Sequence, residues 1–251
     1  MGAIPEPPRG HWLMGVSDLR LLQLQVDALF MHDPRGRILY VNEPGGDRAP
    51  RFFLGRTREG NLWRCRDDVV EGTVRELARL ASAEPVCDDL RAEPRNMAAF
   101  LAALRADRES ASVEWQYAGP AYRFPDELPP AAVTRMTRSD LHLLRLMPWD
   151  LDEAAREFER YEPFMAVIED GAAVSLCHSA RLTDQAAEAG VETLKAYRGR
   201  GYATTVVAGW AYAIRATGRI PLYSTSWDNL ASQAVARRLG LVQYGTDLSL
   251  G

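Results

Sequence analysis

The segment Arg198-Gly199-Arg200-Gly201-Tyr202-Ala203 constrains this chain more than any other stretch. It joins a strand-like run, Gly190 to Lys195, to a helical run, Tyr202 to Ala216. A glycine-rich turn in that position exposes backbone N–H groups at a helix N-terminus, where the helix dipole also favours negative charge. The turn therefore reads as a pyrophosphate seat.

Any such anion site has to be local. Over 251 residues the formal net charge is -4, which gives no bulk pull toward nucleic acid or an anionic membrane. The length allows one large domain or two modest ones, and two are expected. Lys195 is the only lysine among 30 basic residues, a bias from which no function is read. Cys65, Cys87 and Cys177 are few and scattered, so neither a disulfide framework nor a zinc cluster is suggested, and a reducing cytoplasm fits. The N-terminus, with Pro5, Pro7 and Pro8, lacks the apolar core of a signal peptide, and no apolar run is long enough to cross a bilayer. A soluble, cytoplasmic protein without a metal is expected.

Apolar spacing predicts a helix over Ser17 to Phe30 with Ser17 as its cap, then a turn at Asp33 to Gly36 into a strand from Arg37 to Val41. Strand-like pieces follow at Phe52 to Leu54 and Asn61 to Cys65, then helices over Asp68 to Ala83 and Asn96 to Arg108, and a strand from Ser112 to Tyr117. From Gly119 to Pro130 the composition turns to proline and polar residues, as in an interdomain linker. The expected division is an N-terminal mixed α/β domain over residues 1–130 and a second domain over 131–251. The second begins with a strand at Ala132 to Met136, a helix capped by Ser139, and another helix from Asp152 to Tyr161. Phe164 to Glu169 and Ala172 to Arg181 read as a hairpin through Asp170-Gly171, with Ala187 to Lys195 as the next strand. After the glycine turn come the helix Tyr202 to Ala216, closed by Gly218, and a strand from Pro221 to Ser226. A last helix follows, capped by Asp228 or Asn229, with Leu230, Ala234, Val235 and Leu239 inward, and then a terminal strand including Val242 and Tyr244.

This order of elements, with RGRGYA between the fourth strand and the third helix, resembles the GNAT superfamily of acyl-CoA-dependent N-acetyltransferases over roughly residues 131–251. Arg198, Gly201 and Ala203 fill the family's central motif, and Asn229, Ser232, Val235, Ala236, Leu239 and Gly240 are similar to its asparagine-led helix. The resemblance implies a mixed sheet with flanking helices, acetyl-CoA as acyl donor and a primary amine of a small molecule or peptide as acceptor. It implies that pantetheine lies along Leu194, Lys195 and Ala196, as an added strand would. The pyrophosphate would meet N–H groups from Arg200 through Tyr202, Ala203 and Thr204, with charge from Arg198 and Arg200 beside Gly199. Asn229 and Ser232 complete the implied coenzyme contacts. A dinucleotide-binding reading of the same glycines fails, because Thr204 stands where glycine or alanine is required and no acidic residue ends the next strand.

Acetyl transfer needs a base for the ammonium, stabilisation of the oxyanion, and a proton for the departing thiolate. Glu192 is the first candidate base and Glu188, four residues earlier on the same strand face, the second. Either is also readable as a solvated or ion-paired strand carboxylate. Many family members carry a tyrosine acid where this chain has Ala236. Tyr244, Tyr223 or a water are the replacements to consider, beside their role as packed aromatics. His178 is either an acceptor-side residue or a hydrogen-bonded structural histidine, and Cys177 is packing. The N-terminal half is a diverged GNAT-like copy, a wall of the acceptor pocket or an interaction unit. Homodimerisation is left open, and so is the rival view of the whole chain as a catalytically silent acyl-CoA-binding or regulatory module.

Overall fold

The computed structural model describes residues 15–86, 88–107 and 115–251. The N-terminal prolines, Cys87, Arg108 and the start of the strand expected from Ser112 lie outside the described residues. The described residues group into two compact units that alternate along the sequence, one with 15–122, 224–230 and 243–251, the other with 123–223 and 231–242.

In the first unit Ser17 caps α1 (Asp18–Leu29), its hydroxyl accepting from Arg20 N–H at 3.1 Å. The helix stops at Leu29 because the chain passes straight into β1 (Phe30–His32), which pairs antiparallel with β2 (Ile38–Val41). The turn between them is held by the Asp33 carboxylate, which accepts from Arg35 and Arg37 N–H at 2.8 Å each. β3 (Phe52–Thr57) and β4 (Asn61–Cys65) form an antiparallel pair. With α2 (Glu71–Ser82) and α3 (Met97–Ala106) they enclose a core of Phe52, Leu54, Leu77, Phe100 and Leu104. β5 (Trp115–Arg123) then continues through Gly119 and Pro120, where a linker was expected to begin. Pro120 takes part through its carbonyl, which accepts Thr225 N–H at 3.2 Å, so its missing N–H does not end the strand.

The rest of the proline-rich stretch is held too. Arg215, 1% exposed, donates to the carbonyls of Pro125 and Asp126 at 2.7 and 2.9 Å, and the Tyr212 hydroxyl donates to Leu128 O. This stretch is a strap along a helix and not a free connection.

The second unit starts with β6 (Thr134–Met136) and a 3-10 helix, Arg138–Leu146. Its cap is Thr137, not Ser139: the Asp140 carboxylate accepts from Thr137 N–H at 2.9 Å in a capping box, and Ser139 lies inside the first turn. The single helix expected over Asp152 to Tyr161 is two short ones, α4 (Leu151–Arg156), capped by Asp150, and α5 (Phe158–Tyr161). β7 (Phe164–Glu169) and β8 (Ala172–Leu182) form the predicted hairpin, with Asp170 at φ 49° and Gly171 at φ 70° as a primed turn needs.

β9 (Ala186–Thr193) pairs antiparallel with β8 and ends two residues before Lys195. Leu194 N–H still reaches Val174 O at 3.0 Å, but Lys195–Tyr197 then wind into a 3-10 turn, closed by Tyr197 N–H to Leu194 O at 2.8 Å. α6 (Tyr202–Ala216) has the predicted bounds and buries Val206, Val207, Trp210 and Ile214. β10 (Ile220–Ser224) pairs in parallel with β9 over Ile220–Leu222 against Ala186–Glu188, while β9 continues to Thr193. α7 (Leu230–Arg238) buries Gln233, Val235 and Ala236. Leu230, expected inward, is 65% exposed because the buried stripe starts one turn later. The strand order in this unit is β10-β9-β8-β7-β6.

The last strand, β11 (Val242–Leu250), pairs antiparallel with β3 from Gly245 opposite Thr57 to Leu250 opposite Phe52, giving the first unit the order β4-β3-β11-β5. Both units are mixed α/β, and the β9/β10 pair supplies the parallel element.

Candidate functional site

The parallel pairing of β9 with β10 runs as far as Glu188 opposite Leu222, and beyond it, among the described residues, β9 pairs with β8. The chain leaves this opened edge through the Lys195–Tyr197 turn and enters α6 by two left-handed residues, Gly199 at φ 81° and Gly201 at φ 85°. A side chain at either would be strained, which is why glycine stands at both. Gly201 is the N-cap of α6, and the first-turn N–H groups of Tyr202, Ala203 and Thr204 have no acceptor within the helix. Beside them lies an open cleft of about 420 Å³ lined by Pro129, Pro130, Gly199, Arg200, Gly201, Thr204, Thr205 and Arg238. Thr204 Oγ1 is buried there without a hydrogen-bond partner.

The two arginines of the turn are oriented from behind. Arg198 Nε donates to Thr193 O at 3.2 Å. Arg200 stacks over the Tyr197 ring at 4.9 Å and lies 3.7 Å from Glu169 Oε2. The Tyr202 hydroxyl donates to Glu169 Oε1, a bond that raises the phenol's pKa. Glu169, at the end of β7, was not singled out in the sequence, where it reads as the last residue before a hairpin turn. Lys195 and Ala196 are exposed in the 3-10 turn, and Leu194 packs partly against the apolar cluster around Leu144 and Phe164.

Glu188, Gly190 and Glu192 share a face of β9 by strand alternation. The register sets Gly190 opposite His178 and Glu192 opposite Leu176. The His178 ring lies across Gly190 so closely that a Cβ on residue 190 would sit 2.5 Å from Cε1. Trp149 meets this ring edge-on at 4.7 Å, Tyr161 at 5.7 Å, and Phe164 stacks on it at 6.1 Å.

Burial pushes His178 down to about 3, with a smaller contribution from the charge of Arg181, so the ring is neutral around pH 7. Burial also lifts the Glu192 carboxyl above its ordinary value, and the Trp149 indole offsets part of that rise. Trp149 Nε1 and Glu192 Oε2 are nevertheless both buried without a hydrogen-bond partner, so the two approach each other without completing a bond. Glu188 is 3% exposed, beside the last paired residue of β10. Cys177 points to the opposite face, and burial holds its thiol well above its ordinary pKa, the reverse of an activated thiolate. Trp149 had no sequence signal, since a tryptophan in a short Pro-Trp-Asp connection reads as core. Arg238 had none either, because a basic residue in a last helical turn is ordinary.

Ala236 is fully buried, and near it the Tyr223 hydroxyl and Ser232 Oγ are 2.7 Å apart. Asn229 and Tyr244 belong to the first unit. Asn229 is exposed, its N–H donating to Ser226 O at 3.2 Å. Tyr244 is 1% exposed and its hydroxyl donates to Gln25 Oε1 at 2.6 Å, while Gln25 Nε2 donates to Asp247 Oδ2 at 2.8 Å. Among the described residues, no group of three or more His, Cys, Asp or Glu is placed to hold a metal, and no helix is long and apolar enough to cross a membrane.

Residues 132–246 match the family model described as GNAT acetyltransferase. Among solved structures, an acetyltransferase from the GNAT family of Colwellia psychrerythraea is similar at 13% identity and TM-score 0.47, covering 76% of each chain. A GCN5-related N-acetyltransferase-like protein from Streptococcus suis is similar at 17% identity and TM-score 0.46, covering 80% of this chain and 84% of its own. No curated protein matches the chain.

Proposed function

We propose that the protein transfers an acetyl group from acetyl-CoA to a primary amine of a small molecule or peptide, by direct attack within a ternary complex. The observation that carries this reading is the parting of β9 from β10 after Glu188, on the strand that leads into the Gly199–Gly201 turn. An opened strand edge accepts the amide-bearing arm of the coenzyme by backbone bonds. The N–H groups at the start of α6 and the cleft beside Thr204 and Arg238 suit its phosphates. Within the second unit the bonding lies with Leu194 to Ala196, Arg198 to Thr204 and Ser232, from the set carried over from the family motif.

Glu192 is the base. It stands on the part of β9 beyond the last pairing with β10, whereas Glu188 is at that pairing. An ammonium gives one proton to the Glu192 carboxylate, directly or through water. The amine nitrogen then bonds to the thioester carbonyl carbon as the C–S bond breaks, and the second proton released from nitrogen ends on the departing thiolate. A carboxylate held above its ordinary pKa by burial is the stronger base for this step.

The test combines binding and turnover on the full chain. Coenzyme A should raise the melting temperature, and acetyl-CoA should be consumed with at least one amine of a broad panel. Binding without turnover on any amine selects the silent acyl-CoA-binding module, and no melting shift removes both. Glu192→Gln should lower kcat and abolish the acidic limb of the kcat/KM profile while leaving coenzyme A affinity unchanged. An acidic limb that persists in the variant assigns the base elsewhere.

A further inference from the structure

Three buried polar atoms on one face of the second unit have no hydrogen-bond partner: Trp149 Nε1, His178 Nδ1 and Glu192 Oε2. A buried donor or acceptor left unmet costs about 1–3 kcal/mol. Three in one neighbourhood mark a place that a ligand completes. One side chain connects them, because the Trp149 indole packs edge-on against His178 at 4.7 Å and also approaches Glu192. Gly190 lets the imidazole lie flat across β9, two residues from Glu192 on the same strand face. His178 is 8% exposed, so its ring is fixed by packing before any ligand arrives.

The chemistry of the three atoms selects the ligand. Glu192 supplies negative charge and an accepting oxygen. With the proton on Nε2, His178 Nδ1 accepts as well. A neutral imidazole sets no positive charge against a cation. A primary ammonium brings a positive charge and three N–H donors, whereas an alcohol of the same length brings one donor and no charge. The aromatic surface of Trp149 and Tyr161 attracts a cation and accommodates the carbons attached to it.

We propose that Trp149, His178 and Glu192 form an ammonium subsite that selects a primary amine borne on an apolar chain. His178 accepts from one ammonium N–H, Glu192 from another, and Trp149 Nε1–H closes onto the Glu192 carboxylate. Trp149 is thus a positioning residue, acting through Glu192. The inference rests on Glu192 as the base in the function proposed above.

Indole ¹H–¹⁵N spectra of the full chain test it, with the Trp149 resonance identified by its disappearance in Trp149→Phe. The probes are n-butylammonium chloride and n-butanol at equal concentration. The ammonium should shift the Trp149 resonance saturably and the alcohol should not. Glu192→Gln should bind the ammonium at least about tenfold more weakly. His178→Phe, which keeps a ring and loses Nδ1, should also bind it more weakly, and melting curves establish that each variant is folded. No shift, an equal shift with butanol, or unchanged affinity in both folded variants overturns the subsite. If coenzyme A stabilises the protein while the ammonium leaves Trp149 unmoved, the subsite fails and the acyl-CoA reading stands. The converse result removes the acyl-CoA reading and with it Glu192 as a base, and leaves only ammonium binding at these three residues.

Discussion

Gly201 carries two separable demands, a left-handed backbone at φ 85° and freedom from negative charge at the start of α6. Gly201→Asn and Gly201→Asp impose a similar backbone strain, because both side chains tolerate that region better than most. Only the aspartate adds charge. Coenzyme A should bind the aspartate variant more weakly than the asparagine variant by about 1 kcal/mol at low salt, read by calorimetry, and equal affinities would remove the phosphate from this turn. His178 makes a different prediction. Its value of about 3 lies below the unfolded 6.5, so the unfolded chain binds the proton first and stability is full above pH 6.5. As pH falls from there toward 3, this one residue should remove about 1.4 kcal/mol per pH unit. Urea melts of the wild type and His178→Asn across that range should differ in slope. Residue identity made the glycine turn legible from sequence, since few backbones use two glycines there. The Trp149–His178–Glu192 cluster was not legible, because contact between a loop, β8 and β9 depends on register that no local pattern encodes.

At the level of elements, α6 was read to its ends and β7–β8 nearly so, because Gly201, Gly218 and Asp170-Gly171 punctuate them with turns only such residues allow. The misreadings fall where tertiary bonds overrode composition. Pro120 and its neighbours suggested a linker, yet β5 runs through Arg123 and the following carbonyls are bound by Arg215. Thr137 took the cap expected of Ser139 because Asp140 is spaced to complete a box with it. Arg215→Ala should destabilise the protein by about 2–5 kcal/mol, since it leaves buried carbonyls without donors and opens a void. Arg215→Lys should recover only part of this, because an ammonium lacks the planar fork. Denaturant midpoints measure both, and an Arg215→Ala variant within ~0.5 kcal/mol of the wild type would show the strap to be incidental.

For the whole molecule, the mixed α/β class and the likeness of residues 132–246 to the GNAT acetyltransferase model were legible, because two motifs occur in order within one strand and helix pattern. The assignment of 224–230 and 243–251 to the first unit was not, since short segments carry no compositional mark of the unit they join. The opening between β9 and β10 has a further effect, on proton exchange. Leu194 N–H bonds to Val174 O, so alternation turns the amides of Gly190 and Glu192 toward β8 and those of Val191 and Thr193 toward the opening. In deuterated water the free protein should lose protons from Val191 and Thr193 well before Gly190 and Glu192, an alternating record along a single strand. Saturating coenzyme A should slow the fast pair and level the record, making β9 its own gauge of whether the opening is filled.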